Sequence, residues 1–312
     1  MRIAFMGTPE FAVPSLKILH EHKYDIRAVV TSPDKPRGRG QQVSFTPVKE
    51  LALQRGFQVF QPANLKDSGF INEIGSLKPD IIVVVAFRIL PQEVFRIPRL
   101  GSFNLHASLL PKYRGAAPIN WAIINGETET GVTSFLLAEK VDTGSVVLQA
   151  RVRIGPDETA GDLHDKLAEV GAEIVLQTVR LMELGKAQPR QQDHALASPA
   201  PKIMKEHCRI DWQSSAQQVH NFVRGMSPTP CAWTKHRDTL LKIYRTNLIS
   251  SVSGASEKKE AGHVVHVGGD DFIVQTGDGI VKLLELQQEG KKRLPVGEFL
   301  RGYAVRVGDK FE

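Results

Sequence analysis

The sequence predicts an α/β fold: a Rossmann-like, mixed but mostly parallel sheet with helices on both faces, followed by a smaller C-terminal OB-like β-barrel domain. Three observations support this prediction. In the first half of the chain, apolar runs alternate with helical patterns. One run, Ile81 to Ala86, is apolar throughout, as expected for a strand that is buried on both faces. After residue 207, short apolar runs are separated by glycine-containing turns, which is typical of a small antiparallel barrel.

The N-terminal elements predict a β-α-β unit. Arg2 to Met6 is predicted to be the first strand, a helical pattern follows, and Ile26 to Val30 is predicted to be the second strand. A helical crossover between two such strands makes them parallel. The turn Gly7-Thr8-Pro9 does not match the GxGxxG loop of dinucleotide-binding proteins, because its proline removes a backbone N–H that could bind phosphate.

Residues 31–45 break this pattern with prolines, glycines and the basic residues Lys35, Arg37 and Arg39. A long polar loop within a compact domain is usually functional or disordered. Because Arg39 lies between two glycines, its backbone is conformationally free and its side chain can extend outward. We predict a mobile basic finger that contacts phosphate groups, with a solvated surface loop as the alternative.

The next strands bring polar residues to one edge of the predicted sheet. Residues 87–90 follow the apolar strand at its carboxyl end, where open α/β sheets bind their ligands. The strand 101–106 then carries Asn104 and His106, which share one face because residues i and i+2 of a strand point the same way. A polar pair on a strand end indicates a face that looks into a cleft.

The following segment predicts an antiparallel pair, so that the sheet is mixed. Residues 131–137 and 145–154 are strand candidates, and the loop between them carries Asp142. Thr159 is positioned to cap the next helix, whose apolar residues recur on one face, and Gly185 is positioned to end it.

Beyond this helix the apolar periodicity disappears, which predicts a linker containing Lys202 and Lys205. A helix is then predicted from Ser214, and a basic cluster that includes Lys291 and Lys292 follows the last strand. Five strands are predicted, at 231–234, 240–244, 263–267, 272–276 and 280–286. The chain is therefore divided into a catalytic domain (1–188), a linker (189–207) and a β-barrel domain (208–312).

Composition narrows the class of protein. Apolar residues make up 41% and charged residues 24% of the chain, the balance of an ordinary globular protein. No apolar run is long enough to span a membrane, and the two cysteines have no metal-ligand spacing, so we expect a cytoplasmic protein with reduced thiols. The formal net charge is +6, and most of the excess lies in residues 201–312. This fits either a nucleic-acid-binding module or a solvated basic surface.

The candidate chemistry rests on Asn104, His106 and Asp142. A carboxylate beside an imidazole fixes its tautomer, and an amide can donate a hydrogen bond to a developing oxyanion. No serine or cysteine has the sequence context of a covalent nucleophile, and no cluster with the spacing of a metal site is present. The set therefore suits direct attack by the substrate's own nucleophile on a carbonyl group, although His106 alone is also compatible with a buried structural histidine.

These residues lie in motifs that resemble the formyltransferases that use 10-formyltetrahydrofolate. The resemblance rests on Asn104-Leu105-His106, on Ser108-Leu109-Leu110-Pro111, on residues 113–119 and on Asp142-Thr143-Gly144. It extends to the 7–11 turn, the 33–40 loop, the 200–203 segment and the 276–279 turn, and so to nearly the whole chain. These four additional segments resemble the members of the family that act on tRNA.

The resemblance implies specific roles. Asn104, His106 and Asp142 match the catalytic residues of the family. The tetrahydrofolate would be bound by Ser108, Leu109, Leu110, Pro111, Phe87, Ile89 and Leu90. Methionyl initiator tRNA would be the acceptor, and Arg39 matches a loop arginine that places its acceptor end. From their charge we also expect phosphate contacts by the remaining predicted basic residues, Lys35, Arg37, Lys202, Lys205, Lys291 and Lys292. No metal is implied, and we expect a monomer. Phe87-Arg88 and Lys140-Val141 depart from the commoner residues of the family at the folate site.

Two alternatives share part of this evidence. One is another folate-dependent formyltransferase or hydrolase, which acts on a nucleotide-sugar amine, a purine-pathway amine or water. It would use Asn104, His106 and Asp142 without needing the basic loop. The other is a tRNA-binding module without catalysis, which the intact set of three polar residues disfavours.

Overall fold

The computed structural model describes residues 1–37, 42–251 and 259–312. By its internal contacts the chain divides into two compact units. Unit 1 comprises residues 1–115, 130–152 and 164–199, and unit 2 comprises residues 116–129, 153–163 and 200–312. Unit 2 thus includes two segments that precede the predicted linker. Within the described residues, no helix has the length and apolar character needed to cross a membrane.

The strands of the first two-thirds of the chain are β1 (Arg2–Gly7), β2 (Asp25–Val30), β3 (Lys35–Arg37), β4 (Gln42–Ser44), β5 (Val59–Phe60), β6 (Ile81–Val85), β7 (Ser102–His106), β8 (Arg114–Gly115), β9 (Glu129–Leu136), β10 (Val146–Arg153) and β11 (Pro199–Ala200). The helices there are α1 (Val13–Glu21), α2 (Pro47–Gln54), α3 (Ser68–Ser76), α4 (Gln92–Phe95), α5 (Pro118–Ile124) and α6 (Ala160–Glu183).

A seven-stranded sheet forms the centre of unit 1, in the order β10-β9-β7-β6-β1-β2-β5. β1 pairs in parallel with β2 and β6, and the outer pairs β2–β5 and β6–β7 are also parallel. β9 pairs antiparallel with β7. The prediction of a mixed, mostly parallel sheet is confirmed.

Helices cover both faces of this sheet. Ile82 and Val84 of β6 belong to a buried cluster with Phe70 of α3 and Val94 of α4. Leu105 pairs with Val85 across the β6–β7 ladder and therefore points to the opposite face. There it contacts α6 so closely that a Cβ added at Gly171 would lie 2.6 Å from Leu105 Cδ2.

The predicted loop at 31–45 differs from the structure, because β3 and β4 form a short antiparallel hairpin in which Lys35 pairs with Ser44. The prolines and glycines of this segment predicted a loop, but short edge strands can contain both residue types. At the base of the hairpin, Gln61 Nε2 donates to the Ser32 carbonyl and to Asp34 Oδ1, both at 2.8 Å. The charged Lys49 side chain also pairs with Asp34, and this pairing lowers the pKa of that carboxyl.

Unit 2 contains β12 (Ala232–His236), β13 (Thr239–Ile249), β14 (Val264–Gly268), β15 (Asp271–Gln275), β16 (Ile280–Gln288) and β17 (Arg293–Pro295), with helices α7 (Ala216–Met226) and α8 (Val296–Gly302). The antiparallel sheet has the order β12-β13-β16-β15-β14, and β17 pairs with β16. All five predicted strands are present.

The C-terminal residues join the two edges of this sheet. Glu312 exchanges backbone hydrogen bonds with Lys235 of β12, both at 2.9 Å. On the other side, the Phe311 N–H donates to the Gly262 carbonyl and the Val264 N–H donates to the Asp309 carbonyl, both at 2.8 Å. These bonds close the barrel, and the ring of Phe311 is buried against Trp212 and Phe272 inside it.

Within unit 2, a buried histidine and a buried arginine on α7 form hydrogen bonds to the loop 155–158. His220 Nε2 donates to the Pro156 carbonyl at 3.2 Å, and its Nδ1 lies 3.0 Å from Thr246 Oγ1. One turn further on, Arg224 Nη1 donates to the carbonyls of Gly155 and Glu158. Burial lowers the pKa of His220 below its ordinary value of 6.5.

We expect this histidine to make folding stability fall below neutral pH. The unfolded chain binds a proton near pH 6.5, whereas the folded chain holds His220 neutral to lower pH. The contribution is therefore fully present above pH 6.5 and is lost as the pH falls towards the lowered pKa. Thermal unfolding of the full chain between pH 8 and 5 measures it. His220→Gln should reduce the slope of stability against pH over this range. An unchanged slope would contradict the assignment of this pH dependence to His220.

Candidate active site

The site begins at the carboxyl end of β7, as predicted. Asn104 pairs with Val84 of the parallel strand β6 and with Phe135 of the antiparallel strand β9, and His106 pairs with Thr133. The two-residue spacing places Asn104 and His106 on one face. Asn104 is partly exposed, whereas His106 is buried with 6% of its surface accessible.

The His106 ring is held by a backbone group. Its Nε2 lies 2.8 Å from the Tyr113 carbonyl oxygen. Because a carbonyl oxygen only accepts hydrogen bonds, Nε2 must carry a proton. The other ring nitrogen, Nδ1, faces Asp142 Oδ2 at 3.8 Å. A hydrogen on Nδ1 would therefore point towards the Asp142 carboxyl group.

Asp142 is fixed in an uncommon backbone conformation, with φ of 55°. Non-glycine residues rarely adopt this left-handed region. Its carboxylate Oδ2 accepts a hydrogen bond of 2.9 Å from the Gly115 N–H, and the residue is 9% exposed. Tyr113 and Gly115 are separated by one residue, so a single short segment holds both His106 and Asp142.

A pocket of about 100 Å³ opens beside these residues. Its lining includes Asn104 and Asp142 together with the predicted folate-binding residues Phe87, Ile89 and Leu90. Ile89 is 74% exposed despite its large apolar side chain. The pocket thus combines exposed apolar side chains with a few polar groups, which is the usual composition of a small-molecule site.

The predicted turn Ser108 to Pro111 follows His106 directly but does not line this pocket. It is anchored to β9 by Thr133, whose hydroxyl donates to the Ser108 carbonyl at 2.6 Å and accepts from the Leu110 N–H at 3.1 Å. Gln149 Nε2 donates to the Leu110 carbonyl at 2.9 Å. Leu109 and Pro111 are half-buried.

Arg88, which departs from the family pattern, lines the pocket and is held by two backbone carbonyl groups. Its two Nη atoms donate to the carbonyls of Pro62 and Ala63 at 2.7 and 3.1 Å. Burial lowers the pKa of Arg88 from its ordinary value. The side chain therefore ties the pocket segment 87–90 to the loop after β5.

The structure describes only part of the predicted basic surface. Arg39 lies outside the described residues, and Lys35 and Arg37 fall in β3. The other four predicted residues are exposed in unit 2, namely Lys202, Lys205, Lys291 and Lys292. Within the described ranges, no group of three or more His, Cys, Asp or Glu side chains is arranged to hold a metal ion.

The sequence alone assigned no role in the site to four residues that support it: Tyr113, Gly115, Thr133 and Gln192. Tyr113 and Gly115 act through their backbone, so their side chains give no signal. Thr133 is one of several polar residues in an apolar strand. Gln192 lies in the predicted linker, yet it is 8% exposed and its Nε2 donates to the carbonyls of Asp142 and Gly144 at 2.9 and 2.8 Å.

Comparison with known proteins gives matches along nearly the whole chain. The family model "Formyl transferase" matches residues 1–179, and "Formyl transferase, C-terminal domain" matches residues 202–304. A methionyl-tRNA formyltransferase of Clostridioides difficile (strain 630) is 46% identical over 309 residues, which cover 99% of each chain. One from Citrifermentans bemidjiense is 48% identical over 309 residues, covering 99% of this chain and 95% of its own.

A solved structure of a sugar 3N-formyl transferase, obtained in the presence of dTDP and 5-N-formyl-THF, superposes with a TM-score of 0.70. The match covers 94% of this chain and 99% of the other, at 21% sequence identity. At that identity the match shows that the two chains share a fold.

Proposed function

The chain belongs to the formyl transferase family, and we propose that it transfers the formyl group of 10-formyltetrahydrofolate to the α-amino group of methionyl initiator tRNA. The product is N-formylmethionyl-tRNA, used for translation initiation. The observation that carries the proposal is that Asn104 and Asp142 line one pocket and His106 lies 3.8 Å from Asp142. The chain that holds them is 46% identical to a methionyl-tRNA formyltransferase over 99% of both lengths.

The pocket has the chemistry that a reduced folate requires. A pterin ring has two flat faces and a polar edge. The large apolar side chains of Ile89 and Val141 are 74% and 51% exposed at the pocket, and their burial against a flat ring would be favourable. Asn104 and Asp142 supply polar groups beside them. Phe87 and Leu90 also line the pocket. The turn Ser108 to Pro111 lies outside its lining, and we propose it as a further folate contact from the family resemblance alone.

The transfer requires that charge on the formyl oxygen be stabilised and that one proton move from the attacking amine to the departing N10. We assign the first task to the Asn104 amide and the protonated His106, because preorganised hydrogen-bond donors act there without reorganisation. His106 Nε2–H is already engaged by Tyr113, so Nδ1 is the nitrogen that gains and loses a proton. Asp142, 3.8 Å away, orients this ring and serves the proton relay.

The acceptor is proposed from the family and from charge. Net charge is +6, and exposed lysines of unit 2 offer contacts to phosphates, together with the basic segment around Arg39. We further propose that the enzyme is a cytoplasmic monomer. A formyltransferase for sugar amines would use the same three polar residues without this basic surface.

Formylation of methionyl initiator tRNA tests the proposed function. The enzyme is incubated with 10-formyltetrahydrofolate and the charged tRNA, the amino acid is released from the tRNA, and its mass is measured by mass spectrometry. We expect N-formylmethionine in reactions that contain the enzyme and none in reactions without it. 5-Formyltetrahydrofolate serves as the control formyl donor and should give none. Unmodified methionine in every reaction would contradict the proposal.

Salt should weaken tRNA binding steeply. Each phosphate contact releases counterions, and six to ten such contacts lower affinity by about 10³- to 10⁵-fold between 50 and 200 mM salt. Binding of labelled methionyl tRNA is measured between these two salt concentrations. The KM for the folate is the internal control and should change little over the same range. Equal tRNA affinity at both salt concentrations would refute a role for the basic surface.

A further inference from the structure

The segment 190–198, predicted as a plain linker, is hydrogen-bonded to both parts of the chain that hold the candidate site. At one end, Arg190 exchanges two backbone hydrogen bonds of 2.8 Å with Val146. At the other end, Ser198 accepts hydrogen bonds of 2.9 Å from two N–H groups, from Arg114 to its carbonyl and from Tyr113 to its hydroxyl. This segment therefore spans from the Asp142 loop to the segment that fixes His106.

Gln192 makes the central connection. Its Nε2 donates to the carbonyls of Asp142 and Gly144 at 2.9 and 2.8 Å. Its Oε1 accepts from Arg114 Nη2 at 2.6 Å and from Arg114 Nε at 3.2 Å. A glutamine amide offers two N–H donors and two lone pairs, so every hydrogen-bonding position of this buried side chain is used.

The two groups that Gln192 connects are the ones that set the distance between His106 and Asp142. Arg114 lies between Tyr113, whose carbonyl holds His106, and Gly115, whose N–H holds the Asp142 carboxylate. Asp142 itself has a left-handed backbone conformation that a free loop would seldom keep. Two hydrogen bonds from one rigid amide restrain that loop at Asp142 and Gly144.

We propose that Gln192 is a positioning residue for formyl transfer, which holds Asp142 in register with His106 while touching neither substrate. This proposal rests on the proposed function. Outer partners that orient reacting groups matter because a displacement of about 1 Å in a site can lower the rate by about 100-fold. The linker is then part of the catalytic framework.

Three variants of the full-length enzyme test the proposal. Gln192→Met keeps the volume but removes all four hydrogen bonds. Gln192→Glu still accepts from Arg114 but cannot donate to Asp142 and Gly144. Gln191→Ala, at the exposed neighbouring position, is the matched control. The kcat, the KM for each substrate and the thermal unfolding temperature are measured for each folded variant.

We expect both Gln192 variants to lose kcat by about 10- to 100-fold, with KM values for the formyl donor and the tRNA within about twofold of wild type. The Gln191→Ala enzyme should match wild type. Wild-type kcat in Gln192→Glu would overturn the proposal, because the contact with Arg114 would then suffice. A rise in KM at constant kcat would also overturn it. Formylation by the wild-type enzyme tests the function itself, and the ratio of variant to wild-type rates tests Gln192.

Discussion

Replacing His106 with alanine should lower kcat for formyl transfer by about 10²- to 10⁴-fold, the usual contribution of a positioned acid–base group. The reason is geometric. Tyr113 fixes the ring through Nε2, so Nδ1 is presented to Asp142, which lines the pocket together with Asn104. Asn104→Ala should lose about 10²- to 10³-fold, because one oxyanion donor is removed.

The measurement is steady-state formylation of methionyl tRNA, together with thermal unfolding to show that each variant is folded. His22→Ala is the matched control, since His22 is exposed and remote from the site in the sequence. It should leave kcat unchanged. A folded His106→Ala enzyme with wild-type turnover would remove His106 from the chemistry, and with it the proposed assignment of the site.

Asp142→Asn should lower kcat by a similar factor, about 10²- to 10³-fold, while leaving stability nearly intact. The asparagine oxygen can still accept a hydrogen bond from the Gly115 N–H, but the side chain no longer places a carboxylate beside the His106 ring. Asp142→Ala should lose the same activity and, in addition, about 1–3 kcal/mol of folding free energy, because the Gly115 N–H loses its partner.

Urea unfolding and kcat, measured on both Asp142 variants, separate the two effects. The separation is informative because the same carboxylate has a structural contact with Gly115 and a proposed chemical role beside His106. If Asp142→Asn retains wild-type kcat, then the charge of Asp142 has no part in catalysis and only its structural contact remains.

The sequence predicts the part of the site that depends on strand geometry. Asn104 and His106 could be placed together because side chains alternate along a strand, and residues 87–90 because carboxyl ends of parallel strands meet at one edge. Asp142 could be named as a candidate, but its backbone conformation could not be foreseen, because a left-handed aspartate leaves no pattern in the sequence.

The remaining features could not be predicted because they depend on backbone groups or on distant segments. The Tyr113 carbonyl is a backbone atom, which any residue type supplies. Gln192 contacts a loop 50 residues earlier in the chain, and its polar neighbours resemble a solvated linker. The segment that closes the barrel at Phe311 is too short to show a period, although it joins both edges of the sheet.

The most direct test of the central claim is a competition for one labelled formyl group. The enzyme receives 10-formyltetrahydrofolate labelled in the formyl carbon, with methionyl initiator tRNA, a nucleotide-sugar amine and water present together. We predict that the label is recovered on the methionyl nitrogen, and that this transfer is lost in His106→Ala. Label recovered on the sugar amine, or as free formate, would contradict the proposed function.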